Sequence, residues 1–334
     1  MQFTDILLHW YAENKRSLPW RGERDVYKVW VSEIILQQTR ISQGWEYYLR
    51  FIEKFPDLKA LAEADEEEVL RVWQGLGYYS RARNMHAAAR SVMTEFGGTF
   101  PRDYDQVRQL KGVGDYTAAA ICSFAYGLPY PAVDGNVLRI ICRVYGIHNN
   151  IMENRTKKEV TGLCQQLMSG TNPADFNQAL MDFGSLQCVP KHPDCENCPC
   201  QSECYAFQHE EVELLPVSIK NIRIKNRYFH FFVCVQQDTL MIEKREANDI
   251  WKNLYQLPMV ETKKNKTLKY RLLYQTKHQL THQTIQASFY EVPDPAQLPD
   301  SPSQRQMVDL KRLAGFAFPK LIVNFFEFFL GSRN

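Results

Sequence analysis

Residues 188–204, CVPKHPDCENCPCQSEC, place five of the nine cysteines of this 334-residue chain in one short stretch. Cysteines that only fill a core lie singly in apolar runs, as Cys122, Cys142, Cys164 and Cys234 do. Five of them with three prolines in a loop have no core to fill. A four-thiolate zinc site usually pairs two C-x2-C knuckles across a longer span. Here one C-x2-C, Cys195 and Cys198, is separated from Cys188 by six residues and from Cys204 by five. That compact run suits wrapping a single four-iron cluster, so iron–sulfur outweighs zinc without excluding it. Cys200 lies outside the frame as a spectator.

Two carboxyl groups could also do chemistry. Glu33, in VWVSEIILQQ, shares its helical face with Val29, Trp30, Leu36 and Gln37. A carboxyl among such neighbours is disfavoured as an anion, which lifts its pKa toward that of a general acid. On an open helix surface it would be an ordinary solvated glutamate. Asp134, in PAVDGNVLRI, directly precedes an apolar-periodic helix, where aspartate is a favoured N-cap. Gly112 and Gly114, in LKGVGDYTAAA, permit a tight turn whose N–H groups point outward before a helix, a nest suited to a phosphate. By itself, GVG is equally an ordinary helix–helix turn.

Two kinds of element must position these groups. Up to about residue 185 the apolar period is helical: Phe3, Ile6, Leu7 and Trp10 form a stripe, as do Leu61, Val69, Val72 and Trp73 in LAEADEEEVLRVW. PADFNQALMDFGSLQC reads as a helix entering the cysteine loop. From Tyr228 the pattern turns to strands, YFHFFVCV, TLMIEKR, YRLLYQ and HQTIQASFYEV, before a last helix near PKLIVNFFEFFL. Residues 1–215 hold 22 Lys+Arg against 28 Asp+Glu, whereas residues 216–334 hold 18 against 10. The net charges, −6 and +8, mark two domains. The expected architecture is therefore an all-α domain over 1–215, containing the loop 188–204, a linker over 216–227, and a smaller α+β domain over 228–334. The N-terminal residues carry Asp5 and His9 where a signal peptide would be apolar, and no stretch reaches the length of a membrane span. A soluble protein of a reducing compartment follows, for which a disulfide framework is not expected.

The cysteine spacing, preceded by LKGVGDYTAAA and VDGN, resembles the helix-hairpin-helix superfamily of DNA glycosylases that includes endonuclease III. LPWRG, VWVSEIILQQTR, GLGYYSRARN, VDGNVLRI and FNQALMDFG are similar, in this order, to the adenine DNA glycosylases, and the likeness spans nearly the whole chain. The resemblance implies base-excision repair: hydrolysis of the N-glycosidic bond of adenine mispaired with 8-oxoguanine or guanine. It implies one [4Fe–4S] cluster on Cys188, Cys195, Cys198 and Cys204, fixing a loop that lies against DNA. It makes Glu33 the donor of a proton to adenine N7 and Asp134 the anion facing an oxocarbenium-like sugar, with Asn136 orienting them. This is the two-carboxylate logic of glycosidases. Lyases of the superfamily carry a Schiff-base lysine where this chain has Tyr116, so a monofunctional enzyme is implied.

Gln38 and Tyr78 match residues that fill the gap left by a flipped base. Trp20, Arg21, Leu36 and Gln178 match the adenine pocket, and Gly112 and Gly114 a phosphate contact. Lys111 stands where the family commonly has proline. The second domain resembles a nudix fold without the hydrolase box. Its reader of 8-oxoguanine, a Phe-Ser-His turn in the family, is matched by Leu280-Thr281-His282. The implied partner is double-stranded DNA, bound by a cytoplasmic, nucleoid-associated monomer. An endonuclease III-like glycosylase/lyase is opposed by Tyr116 and the basic second domain. A non-enzymatic iron–sulfur DNA-binding protein would not need Glu33 and Asp134 together.

Overall fold

Helices follow one another through the first two thirds of the chain in the computed structural model, which describes residues 2–219, 224–246, 249–264, 266, 268–301 and 303–331. They are α1 (Phe3–Asn14), α2 (Val26–Leu36), α3 (Ile41–Lys54), α4 (Leu58–Glu63), α5 (Glu66–Val72) and α6 (Ser80–Glu95). Then come α7 (Tyr104–Gln109), α8 (Asp115–Tyr126), α9 (Gly135–Tyr145), α10 (Asn154–Leu167), α11 (Pro173–Leu186) and α12 (Tyr205–Gln208). The strands are β1 (Lys225–Val233), β2 (Val235–Gln236), β3 (Thr239–Lys244), β4 (Tyr255–Gln256), β5 (Met259–Thr262), β6 (Arg271–Gln279), β7 (Gln283–Glu291) and β8 (Arg305–Asp309), before α13 (Lys320–Gly331). Contacts divide the chain into two units, Met1–Glu63 with Asn84–Lys220, and Ala64–Arg83 with Asn221–Asn334.

In the helical unit the amphipathic stripes converge on one core. Phe3 and Leu7 of α1 meet Val137, Ile140 and Ile141 of α9, Val160 of α10, and Phe176, Leu180 and Phe183 of α11. Asn172 caps α11 by accepting from the N–H groups of Ala174 and Asp175, and Pro173 follows where its missing N–H costs nothing. Helix α2 is apolar on nearly every side and buries Tyr27 through Ile35 apart from Lys28. Such a helix belongs inside, and it lies against α3 and α8.

LAEADEEEVLRVW does not form one helix. It breaks at Asp65, whose extended backbone opens α5, with Glu66, Glu67 and Glu68 at the positive end of the new helix dipole. Those acids explain why residues 64–83 belong with the basic strand unit. Glu67 pairs with Lys244 Nζ at 2.5 Å and accepts from Tyr255 Oη at 3.0 Å. Tyr79 Oη donates to the Phe318 carbonyl at 3.1 Å, and Arg83 donates to that of Lys252 at 2.9 Å.

The strand unit has two sheets, one ordered β5-β1-β7-β6 and one in which β3 pairs with β2, β4 and β8. β1 and β7 run parallel from Lys225↔Gln283 to Val233↔Glu291, while β6 and β7 form an antiparallel pair. Phe229, Phe231 and Phe289 project into a core closed by α13, where Phe289 stacks on Phe325 at 4.1 Å. In the stretch read as linker, Val217 O accepts from Ile151 N, residues 220–223 lie outside the described residues, and β1 has already begun at Lys225. Among the described residues no helix is long and apolar enough to cross a membrane.

Candidate active site

Glu33 sits two turns into α2 and is only 7% exposed. Tyr116, in the first turn of α8, donates its hydroxyl to Glu33 Oε2 at 2.9 Å. Burial pushes the Glu33 carboxyl up to about 7, and Asp134 nearby pushes the same way, while the Tyr116 bond and Arg21 oppose it. A carboxylic acid that keeps its proton near neutrality can donate it. Burial and the adjacent Glu33 and Asp134 also raise the Tyr116 phenol well above its ordinary range, so it stays a hydrogen-bond donor.

Asp134 takes the cap position that its place in the sequence suggested. It is the N-cap of α9, with Oδ1 accepting from Asn136 N at 2.8 Å and Val137 N at 2.9 Å. Among the described residues Oδ2 accepts only the Asn136 side chain, at 2.8 Å, and the residue also lines the cavity that Glu33 faces. Asn136 in turn accepts from Arg139 Nη2 at 2.9 Å, and Arg139 donates onward to the carbonyls of Gly184 and Cys188. A Cβ on Gly184 would stand 2.6 Å from that of Asn136, so only glycine fits there.

The cavity, of about 240 Å³, brings together Glu33, Tyr116, Asp134 and Asn136 with Trp20, Arg21, Leu36 and Gln178. Sequence reasoning missed Arg16, Ser32, Met181 and, behind them, Asp182. Asp182 is fully buried and binds Arg16 and Arg21. The available signal was its position four residues after Gln178, on the same face of α11.

Gln38 lies at the rim, in a second opening lined also by Glu33, Gln37 and Asp134. Its φ is +55°, and that of Tyr78 in the strand unit is +47°. Non-glycine residues held in that region carry about 1–3 kcal/mol of strain, which tends to collect at functional positions. Both are the residues matched to duplex insertion, and both are exposed. Gly112 also has a positive φ, +84°, and a Cβ there would meet Asn84 at 2.8 Å. It turns the chain at Lys111 toward Gly114, the N-cap of α8, and all three residues are exposed.

In the strand unit Leu280-Thr281-His282 is the β6–β7 turn, closed by a bond from Leu280 N to Gln283 O at 2.8 Å. Leu280 packs against the core, Thr281 and His282 are exposed, and the hydroxyls of Tyr78 and Thr281 are hydrogen-bonded.

The cysteine loop follows α11 and is held from α9. Buried Arg143 donates to Cys188 Sγ at 3.4 Å and to the carbonyls of Val189, Pro190 and Leu215. Cys204 Sγ lies 3.6 Å from the Arg143 carbonyl. Cys188, Cys195, Cys198 and Cys204 are free and partly exposed, whereas Cys200 turns into the core. Burial, reinforced by Cys188, Cys198 and Cys204, pushes the Cys195 thiol up to about 11.

Comparison with known proteins places this geometry. Residues 31–166 match the model of the HhH-GPD superfamily of base excision DNA repair proteins, and residues 230–327 that of the NUDIX domain. The adenine DNA glycosylase of Buchnera aphidicola subsp. Schizaphis graminum is 35% identical over 86% of this chain and 83% of its own length. The chain belongs to the adenine DNA glycosylases. The human adenine DNA glycosylase is 44% identical over 65% of this chain, but the match spans only 41% of that protein. Among solved structures, a thermostable thymine-DNA glycosylase superposes with a TM-score of 0.58 at 30% identity over 62% of this chain and 95% of its own. A trapped endonuclease III–DNA covalent intermediate, at 22% identity and a TM-score of 0.55 over 62% of this chain and 94% of its own, shares the fold. In this chain a helix-hairpin-helix domain precedes a smaller NUDIX-like one. The chain is therefore a base-excision repair enzyme, a hydrolase of N-glycosyl bonds that acts on DNA. The helical framework is thus shared with a thymine-DNA glycosylase and does not by itself fix which base is removed.

In a carboxyl-labelled sample followed by NMR, Glu33 should titrate with a midpoint near 7. Tyr116→Phe removes a bond that favours the ionised form, so the midpoint should move upward. A midpoint in the ordinary glutamate range would contradict the burial argument.

Proposed function

We propose that this glycosylase removes adenine opposite 8-oxoguanine or guanine by simple hydrolysis, with Glu33 as proton donor and Asp134 as the stabilising anion. The observation that carries the reading is the placement of a protonatable buried carboxyl and a helix-capping carboxylate in one small cavity. Protonation at adenine N7 makes the base a better leaving group. As the glycosidic bond breaks, positive charge grows on the sugar, and Asp134 Oδ2 is the oxygen not committed to backbone capping. Asn136 holds that carboxylate in place, and Arg139 holds Asn136. Tyr116 has no amine with which to form an imine, which supports release of an intact abasic site.

Gln38 and Tyr78, already in strained backbone conformations, suit filling the space vacated by a flipped nucleotide. Gly112 and Gly114 present N–H groups ahead of α8 for a backbone phosphate, and exposed Lys111 adds a cation beside them. Thr281 and His282 offer a hydroxyl and an imidazole on a rigid turn, suited to the C8 carbonyl and N7–H that distinguish 8-oxoguanine from guanine. Leu280 anchors that turn. The protein would act as a nucleoid-associated monomer.

Cys188, Cys195, Cys198 and Cys204 fit a [4Fe–4S] cluster: four free thiols at the edge of the core, on a loop pinned by Arg143. Their compact C-x6-C-x2-C-x5-C spacing, rather than two separated C-x2-C knuckles, favours a cubane with one thiolate for each iron over zinc. When bound, the cluster supplies a cross-link that stiffens the loop, and the chemistry at the sugar belongs to the side chains of the cavity.

Three outcomes test this reading. Glu33→Gln and Asp134→Asn should each lower single-turnover adenine excision from A:8-oxoguanine duplexes by about 10²–10⁴-fold while DNA binding persists. Near-normal rates in both would leave Glu33 a buried structural carboxyl and Asp134 a helix cap. Anaerobically purified protein should contain about four irons per chain, lost in Cys198→Ala and kept in Cys200→Ala; stoichiometric zinc would reverse the cofactor assignment. Thr281→Ala with His282→Ala should erode the preference for 8-oxoguanine over guanine with little loss of general affinity, and unaltered discrimination would move the reader elsewhere.

A further inference from the structure

Two guanidinium groups line the catalytic cavity, and both lead to the same buried aspartate. Asp182 Oδ2 accepts from Arg16 N at 3.1 Å, and its Oδ1 accepts from Arg16 Nε at 2.9 Å, Arg16 Nη2 at 2.5 Å and Arg21 Nη2 at 2.7 Å. Asp182 is 0% exposed, whereas the arginine side chains are 24% and 15% exposed. Arg21 also donates to Tyr11 Oη at 3.2 Å, and that hydroxyl donates to Gln178 Oε1 at 2.9 Å, so the wall is tied on both sides.

Among the described residues the buried Arg21 Nε has no hydrogen-bond partner. The titratable and charged groups lining the cavity are Arg16, Arg21, Glu33, Tyr116 and Asp134. Two of these are cations, and a cation beside a buried carboxyl favours its ionised form.

We propose that Asp182 is a positioning residue of the glycosylase. Its carboxylate holds Arg16 and Arg21 flat against the cavity wall and offsets their charge, so that Glu33 is not drawn into the ionised form that cannot donate a proton. With Asp182 in place, the three groups together carry one positive charge. Without it they carry two, next to a carboxyl that must be protonated to act. Screening by water is weak because the aspartate is sealed from solvent. The offset reaches Glu33 through Arg21, the cation that pulls that carboxyl toward its ionised form.

This inference rests on Glu33 as the proton donor, and the test separates the two. The pH dependence of single-turnover adenine excision and the NMR midpoint of the Glu33 carboxyl are measured for the full chain. Wild type, Asp182→Asn, Arg21→Met and the double variant are compared. The Asn variant keeps the shape of Asp182 but loses its charge. Its Glu33 midpoint should fall by roughly half to one pH unit, and the alkaline loss of rate should move down with it. Arg21→Met should shift both upward, and the double variant should lie between the two single ones.

A rate that drops equally at every pH, with the Glu33 midpoint unmoved, would make Asp182 a packing residue and overturn the proposal. Should Asp182→Asn fail to fold, Arg21→Met carries the test, because an unmoved midpoint there removes the electrostatic link. If the midpoint shifts while the wild-type rate does not fall with rising pH near 7, the clamp stands and the assignment of Glu33 as proton donor fails.

Discussion

The cap at the start of α9 is the constraint on which the rest of the helical unit depends. Asp134 spends one carboxylate oxygen on two backbone N–H groups that the first turn of any helix leaves unsatisfied. That bond fixes where α9 begins and where the other oxygen points. From the same helix Asn136 steadies the carboxylate, Arg139 steadies Asn136, and Arg139 and Arg143 hold the cysteine loop by its carbonyls. In the role proposed for it, a mobile aspartate would be a poor electrostatic partner for a short-lived cation, since reorganisation would absorb much of the benefit. Here the backbone of a helix immobilises it.

Glu33 is controlled in a different way. Nothing in its own helix lifts its pKa except the apolar surroundings, and the lift comes chiefly from loss of water. Three groups then trim it. The Tyr116 hydroxyl and Arg21 pull toward ionisation, Asp134 pushes against it, and the outcome lies near neutrality. The two carboxyl groups are kept different by environment, one sealed among apolar side chains and one wrapped in donors.

The strand unit shows how electrostatics can recruit a segment. Glu66 and Glu67 open α5 and bind Asn253, Lys244 and Tyr255, which brings residues 64–83 into the second unit although they lie within the helical part of the sequence. The contrast in net charge along the chain therefore reflects in part a contact made within that unit.

Much of this could be read from residue order. The change from a helical to a two-residue period placed the two architectures, the apolar neighbours of Glu33 foretold its raised pKa, and the position of Asp134 before a periodic run foretold a cap. Each of these depends on residues close together in sequence, where local geometry is nearly fixed by chain stereochemistry. What the tertiary structure decided were pairings between distant segments. Arg16 and Arg21 meet Asp182 across more than 160 positions, Arg139 and Arg143 reach a loop about 45 positions away, and α5 leaves its sequence neighbours for the strands. An arginine carries no mark of the acceptor it will find, because its long side chain can satisfy its donors in many places, and only the packing of α1, α9 and α11 around a shared core selects one.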